Sequence, residues 1–517
     1  MQILPLAKDP AMKNILKFHW PLVLLSFIYL VLFFATAGHY GIFRDELYYI
    51  ACARDLAWGY VDHPPFSLVV LRLVLVTLGD SVIAIRTLAA LSGVVCMMLT
   101  WSLTRNLGGD RFAATLAILA WFGNLMFLAL TNFFSMNALD LVFWLAGFLI
   151  VTFWINTQGK KWWIVLGLIV GLGLLNKYSM GFWAASFGIA LLLSSHRRVL
   201  LQPGPWLAAG IAAILFLPHI IWQIQHGWPS LEFIHNAATY KNVHMSPVEL
   251  LMGVIIEMNP VNVLIWLPGL AGLLFWPPLR RYRLFGFLAL VFFIFMLLQN
   301  PKVYYLAPIF PVLYAAGSIW LSRILSNRWR FGRPVLVTMM LLMTLLVLPV
   351  AMPLFSPTML VNYMDRIGLQ PKAQENSPQG ELPQHFADRF GWQEMAIMVS
   401  NLYQQLPDSV QKDIAVYTTN YGEAGAIDYF RADYALPRAI SGHNNYYLWG
   451  PGNMSGNHLL TIGSRREDLE KGYESVILLG RFKSEWVMPY ENDLPIYYCT
   501  GLKADFKQLW LTTRHFM

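Results

Sequence analysis

Between His39 and Phe66 the chain reads HYGIFRDELYYIACARDLAWGYVDHPPF. Arg44, Asp45, Glu46, Arg54, Asp55, Asp62 and His63 crowd into this stretch, in a chain of which only 13% is charged. A charge beside a bilayer is costly unless it meets water or a partner, so such a cluster points to a site. The alternative is an ordinary wet loop between two spans, and position alone does not choose. Asp45 falls in a short helical stretch, with Tyr48 and Tyr49 at i+3 and i+4 on its face. A partly buried carboxylate among aromatic rings suits a general base. Glu46 points about a quarter-turn away, so the two carboxylates need not share a task. The other reading of Asp45 is a helix-start carboxylate paired with Arg44.

Asp62-His63-Pro64-Pro65 has the composition of a helix start, with Asp62 as cap and prolines in the first turn. Free N–H groups there favour phosphate, and His63 adds a proton-dependent charge; a plain loop-to-helix joint is the alternative. Lys177 and Lys302 each follow the end of an apolar run. Lysine binds phosphate as a point charge, or else snorkels to the interface. Tyr304 and Tyr305 beside Lys302 belong to an aromatic belt or line a lipid-phosphate pocket. Asp140, within an apolar span near Asn137, is expected to hydrogen-bond inside the bundle. Together these residues describe an outward-facing site with a carboxylate base and several cations. It suits a substrate with a lipid tail and a phosphate-linked group.

The elements that must position them follow from composition. The 517 residues are 57% hydrophobic, and apolar runs of roughly 17–25 residues, long enough to span a bilayer, recur from Pro21 to Met352. Eleven spans are expected, starting at Pro21, Ser81, Phe112, Ala138, Trp162, Met180, Trp206, Pro260, Leu284, Tyr304 and Pro334. Pro64 to Gly79 is apolar but short and carries Arg72, so it reads as interfacial or re-entrant. Lys8, Lys13 and Lys17 precede the first span, which the positive-inside rule places with its start in the cytoplasm. With that start the Arg-rich connections, including Arg280, Arg281, Arg283, Arg323, Arg328, Arg330 and Arg333, share one side. Most loop carboxylates, a long loop from Gln225 to Asn259, and Gln299-Asn300-Pro301-Lys302 fall on the other. The first span reads as a retained helix rather than a cleaved signal.

From Pro353 charges and amides rise. Strand-like runs (Ile414 to Thr418, Ser475 to Leu479) alternate with helix-like ones (Trp392 to Leu406, Glu423 to Phe430), which indicates a small α/β domain. The expected architecture is a polytopic α-helical membrane domain, 1–352, with its first outer loop at 39–65. An extracytoplasmic α/β domain follows at 353–517. The net charge of +8 lies in short loops and does not suggest nucleic acid. Cys52, Cys96 and Cys499 show no metal spacing, and a Cys52–Cys499 pairing is conceivable but not favoured.

Four stretches resemble glycosyltransferase family 39 and its GT-C-class relatives, the bacterial protein O-mannosyltransferase-like proteins and the lipid A aminoarabinose transferases. Arg44-Asp45-Glu46 with Tyr49 resembles the Asp-Glu motif of the first outer loop. Asp62-His63-Pro64-Pro65-Phe66 resembles the Lys/His-Pro-Pro-Leu element after it. Leu175-Asn176-Lys177-Tyr178 resembles a span-end Thr/Asn-Lys-Tyr/Gly element. Lys302-Val303-Tyr304-Tyr305-Leu306-Ala307-Pro308, continuing to Pro311, resembles Lys-x-Tyr-Tyr-Leu-x-Pro-x-x-Pro. In the tail, Asn420 to Ala426 and Ser441 to Tyr446 resemble a bacterial subgroup.

The resemblance implies inverting transfer of a sugar from a polyprenyl phosphate to an acceptor hydroxyl outside the cytoplasm, at the outer face of a bacterial inner membrane. It implies Asp45 as base, and Arg44, Glu46, Tyr49, Asp62, His63, Lys177, Tyr178, Lys302, Tyr304 and Tyr305 around the substrate. Tyr421, Glu423, His443, Asn444 and Asn445 offer donors, acceptors and rings for acceptor binding, or else loop structure. His63 stands where the aminoarabinose transferases carry a phosphate-binding lysine. Asn137 stands where many relatives have the aspartate of Thr-x-Asp-Ala, and neither metal nor other cofactor is expected. The competing function is a transporter or flippase of lipid-linked sugars, which should show repeats and broken midplane helices; no internal repeat is visible. A non-catalytic receptor or assembly subunit is a third reading. Sugar, acceptor and oligomeric state are not encoded legibly.

Overall fold

A computed structural model describes residues 10–243, 245–299, 301–326, 329–373 and 375–517, with side chains from His19 onward. Lys8, Asn300 and Arg328 lie outside the described residues, as do the side chains of Lys13 and Lys17. Among the described residues, six helices are long and apolar enough to cross a membrane: His19–Thr36, Val82–Asn106, Met136–Thr157, Pro203–Gln225, Val303–Ile324 and Gly332–Ala351. Shorter apolar helices at Phe66–Thr77, Arg111–Phe122, Lys161–Asn176 and Ser179–Leu193 fill the bundle between them. Phe66–Thr77 and Arg111–Phe122 have 12 residues each.

Lipid supplies no hydrophobic drive between helices, so small residues bring backbones together. A Cβ added to Gly317 would lie 1.8 Å from the carbonyl oxygen of Ile265, and one on Gly269 2.1 Å from that of Leu313. Helices Val263–Phe275 and Phe310–Ile324 therefore touch backbone to backbone.

Two expected elements are broken. The run Phe112 to Leu130 folds as Arg111–Phe122 and Leu125–Leu130, because Asn124 turns its side chain onto the N–H groups of Met126 and Phe127 and restarts the helix. The stretch Gln225 to Asn259, expected as a long loop, carries helices Pro229–Asn236 and Pro247–Glu257. Prolines in the first turn start both, and a Ser246–Glu249 capping box reinforces the second. That second helix bends by 105° into Pro260–Phe275. The two breaks satisfy one another: the Asn259 side chain donates to the carbonyl of Gly123 (2.7 Å), and Asn262 to that of Ala120 (2.9 Å).

The C-terminal region holds a five-stranded sheet, β1 (Ala415–Thr418), β2 (Ala439–Ser441), β3 (His458–Ile462), β4 (Tyr473–Phe482) and β5 (Leu494–Leu502). The spatial order is β2-β1-β3-β5-β4. Strands β2, β1 and β3 are parallel, and β5 joins both β3 and β4 antiparallel. Helices Trp392–Gln404 and Tyr421–Tyr434 cover it, close to the helical runs expected there. The sheet is not a free appendage. One apolar cluster runs from Leu47 and Ile50 of helix Arg44–Arg54 through Ala424 and Ile427 to Val416 and Leu460 of the sheet. Gly425 allows it, since a Cβ there would sit 2.9 Å from that of Leu47.

Candidate active site

Helix Arg44–Arg54 is set by a buried ion pair below it. Glu46 and Arg86 are both fully buried, with Arg86 Nη2 donating at 2.8 Å. Glu46 also accepts from the backbone N–H of Phe43 (2.9 Å) and of Phe134 (2.8 Å), while Arg86 reaches the carbonyls of Ala37 and Gly41. The substrate contact expected of Glu46 is thus corrected: its oxygens are committed to fixing the helix, and it never faces the site.

Asp45, next in sequence, points the other way. Its one hydrogen-bond donor among the described residues is Tyr421, at 2.8 Å, rather than Tyr48 or Tyr49. Tyr48 instead donates to Asp62 (2.9 Å), and Tyr49 packs edge-on against His63 and Phe134. Burial raises the Asp45 carboxyl above the ordinary aspartate range; Arg44 and the Tyr421 hydroxyl oppose it without cancelling it. Arg44 lies over the rings of Tyr421 and Tyr490, donates to the Tyr490 hydroxyl (2.9 Å), and keeps a buried Nε without a partner.

Three carboxylates of the C-terminal region surround Arg44 electrostatically: Asp388, Glu423 and Glu491. Burial pushes Asp388 up to about 7 against the pull of Arg44. Burial also raises Glu423 and Glu491, which share the Asn420 amide, 2.9 and 3.1 Å away. Glu491 Oε2, His443 Nδ1 and Asn444 Nδ2 are buried without hydrogen-bond partners among the described residues. Buried polar atoms are normally paired, so these three are exceptions in this region.

The lysines and their partners form a second group. Lys177 Nζ donates to Asn137 (2.6 Å), lies 3.7 Å from Asp140, and sits 5.5 and 5.3 Å from the ring centres of Tyr304 and Tyr305. Asp140 also accepts from Ser179 (2.5 Å), the intrabundle role expected of it. Lys302 pairs with Glu375 at 2.6 Å, and Lys241 reaches the same oxygen at 3.6 Å. Both lysines are close enough to act electrostatically on Asp45 or be acted on by it. Tyr178 bonds His219 (2.8 Å) and Ser230 (2.9 Å), tying the span end to helix Pro229–Asn236.

Other expected residues take supporting places. Asp62 does not cap helix Phe66–Thr77, whose N-cap is Pro65 without a side-chain bond. His63, two residues before the N-cap Pro65, is fully buried among Tyr48, Tyr49 and Tyr60, with its Nε2 3.8 Å from Asp62. Asn445 accepts from the N–H of Val61 (3.1 Å), tying the segment after the first membrane helix to the C-terminal region. His443 and Asn444 hold the last residue, Met517, at 2.6 and 3.1 Å. Glu423 is spent on Thr419 and Asn420. All three cysteines are free and buried, so Cys52 and Cys499 do not pair. Lys241, Glu375, Asp388, Tyr490 and Glu491 escaped sequence reasoning; they belong to no motif, and nothing in their spacing links them to Asp45.

Residues 62–222 match the family model described as dolichyl-phosphate-mannose-protein mannosyltransferase. Over that stretch the chain is similar to this family. The lipid A galacturonosyltransferase RgtD of Rhizobium johnstonii is 28% identical over 190 residues, 36% of this chain and 39% of that relative's length. Among solved structures, ArnT from Cupriavidus metallidurans bound to undecaprenyl phosphate superposes with a TM-score of 0.62. It is 12% identical, over 93% of this chain and 98% of that one. The oligosaccharyltransferase of Archaeoglobus fulgidus, tethered to an acceptor peptide, gives a TM-score of 0.52 at 13% identity, over 80% and 63% of the two chains. The likeness establishes a GT-C fold: a multi-pass membrane protein, mostly helical, with a small C-terminal sheet.

Proposed function

We propose that the chain transfers a sugar from a polyprenyl-phosphate donor to a hydroxyl acceptor on the extracytoplasmic side of a bacterial inner membrane, with inversion. The observation that carries this reading is Asp45, a partly buried carboxylate whose one donor is Tyr421, facing a cluster of cations at Arg44, Lys241 and Lys302. A base held by a single hydrogen bond and raised by burial is suited to take an acceptor proton. As its oxygen attacks the anomeric carbon, the bond to the phosphate breaks and the lipid phosphate leaves as an anion. Lysines stabilise that charge where it develops. The matched relatives point the same way: one is named a lipid A glycosyltransferase and one is solved with undecaprenyl phosphate.

In this reading Asp45 is the catalytic residue. Arg44, Lys177, Lys241, Lys302, Tyr304 and Tyr305 face the donor, and Tyr421, Tyr490 and the orphaned atoms of Glu491, His443 and Asn444 face the sugar or acceptor. Residues 1–352 form the membrane domain, with about eleven crossings if the shorter helices also span. Residues 353–517 form the extracytoplasmic domain that closes over it. No metal or organic cofactor is assigned, since the base and the lysines supply the acid–base and charge terms. The transporter alternative receives no support from the matched relatives.

The test is reconstitution of wild type and Asp45→Asn with membrane lipids carrying labelled polyprenyl-phosphate sugars. Wild type is expected to release polyprenyl phosphate and to label an acceptor fraction. Asp45→Asn, folded, should fall by roughly 10²–10⁴-fold. Equal turnover by both would remove Asp45 as base. Movement of labelled lipid between leaflets without transfer would favour transport.

A further inference from the structure

Glu375 is the acid that the donor reading does not use. It follows the last membrane helix, in a segment that lies across the turn at Lys241. Its carboxylate takes Lys302 at 2.6 Å and Lys241 at 3.6 Å, and all three side chains are at most about one-fifth exposed. Burial works against that charge, yet the two lysines overcome it and hold the carboxyl down to about 2. The segment is fastened only lightly. The Asn376 N–H donates to the carbonyl of Lys241 (2.8 Å), and its amide to those of Tyr240 and Asn242 at 3.1 and 3.3 Å. Asn242 and Glu375 form a single isolated antiparallel bridge. These are backbone carbonyl contacts at a partly exposed edge, which are cheap to exchange for water.

A buried pair of lysines closed by a carboxylate is an anion site already filled by an anion of the protein. We propose that Glu375 is an internal counter-ion that competes with the phosphate of the lipid-linked substrate for Lys241 and Lys302, and must swing out with Asn376 for that phosphate to bind. The inference rests on the donor reading above. It gives Lys241 and Lys302 a shared occupant and makes the segment at Glu375 a specificity device. An uncharged or weakly held headgroup cannot displace a carboxylate from two lysines, whereas a phosphate can. The same competition runs backwards after transfer, when Glu375 returns to the lysines and helps expel the lipid phosphate. A ligand that can bind only when the occupant is away has its affinity reduced by the fraction of time the site is open. Removing the occupant's charge restores that affinity.

The experiment measures binding of undecaprenyl phosphate, and separately of inorganic phosphate, to the full-length protein in lipid nanodiscs. Wild type is compared with Glu375→Gln, Asn376→Ala, Lys241→Ala and Lys302→Ala, each checked for an unchanged unfolding temperature. Glu375→Gln is expected to bind undecaprenyl phosphate about tenfold more tightly. Asn376→Ala, which leaves every charge in place but loosens the segment, should shift affinity the same way and less. Both lysine variants should bind more weakly than wild type. If the lysine variants weaken binding while Glu375→Gln leaves it unchanged or weaker, Glu375 is not a competitor and the inference falls alone. A gain seen with inorganic phosphate but not with the lipid overturns the assignment to a lipid-linked phosphate. If no variant binds undecaprenyl phosphate, the donor reading fails and takes the inference with it.

Discussion

At the residue scale, adjacent carboxylates have opposite fates. Glu46 is surrounded by donors and fully buried, whereas Asp45 has one donor and a raised pKa. The pH dependence follows from the second. A base works when deprotonated, so the rate should rise with pH through the Asp45 pKa, and burial places that rise above the ordinary aspartate range. The Tyr421 hydroxyl stabilises the anion and pulls the pKa back down. Tyr421→Phe removes this donor, so the acid limb of the pH–rate profile should move to higher pH. At a pH well above that limb the variant should retain most of its turnover. A profile that drops in height without moving would mean that Tyr421 serves substrate binding and not the base.

At the element scale, helix Arg44–Arg54 owes its position to the Glu46–Arg86 pair and not to its own composition. Replacing one partner strands a buried charge, and this costs roughly 3–5 kcal/mol. Glu46→Ala and Arg86→Ala are each expected to lower the unfolding temperature strongly and reduce the yield of folded protein. A Glu46→Leu, Arg86→Met double variant should recover much of that stability, because no charge remains unpaired. It should recover less activity, because the backbone contacts that Glu46 makes to Phe43 and Phe134 are lost with it. Thermal unfolding and turnover measured on the same preparations separate the two effects.

At the scale of the whole molecule, the site exists only because the C-terminal region packs on the segment that follows the first membrane helix. Helix Tyr421–Tyr434 lies on helix Arg44–Arg54 with Gly425 at the contact. Gly425→Leu would drive its side chain into Leu47 and the backbone of Tyr48, and so lift Tyr421 from Asp45. Turnover is expected to fall by at least about tenfold, a loss of the size that misplacing catalytic groups by an ångström produces. Gly425 itself lies beyond the last membrane helix, which ends at Ala351, so the bundle should stay folded, as judged by monodisperse elution in detergent. Turnover equal to wild type would show that closure by this helix is not needed.

What the sequence determined by itself is local. Long apolar runs with few charges dictate membrane helices, because lipid offers no partner to a bare backbone. Alternating short runs after Pro353 mark the strands and helices of the sheet region, and the short reach of Arg44 to Glu46 marks the charged helix. Family-like motifs at Asp45, Lys177 and Lys302 pick out the polar points. What the sequence left open is every pairing across a long separation. Which of two adjacent carboxylates is free depends on Arg86, 40 positions from Glu46. Which hydroxyl meets Asp45 depends on Tyr421, 376 positions away. That His63 packs among three tyrosine rings, and that Asp62 accepts a hydrogen bond from Tyr48 instead of capping a helix, turns on packing that periodicity does not encode. The breaks at Asn124 and Asn259 also escaped: Asn124 caps the next helix through the N–H of Met126, inside an apolar run that reads as continuous, while Asn259 donates to the carbonyl of Gly123, 136 positions away. Burial and hydrogen-bond partners are properties of the assembled fold, and they decide which polar residues hold the structure and which are left to do chemistry.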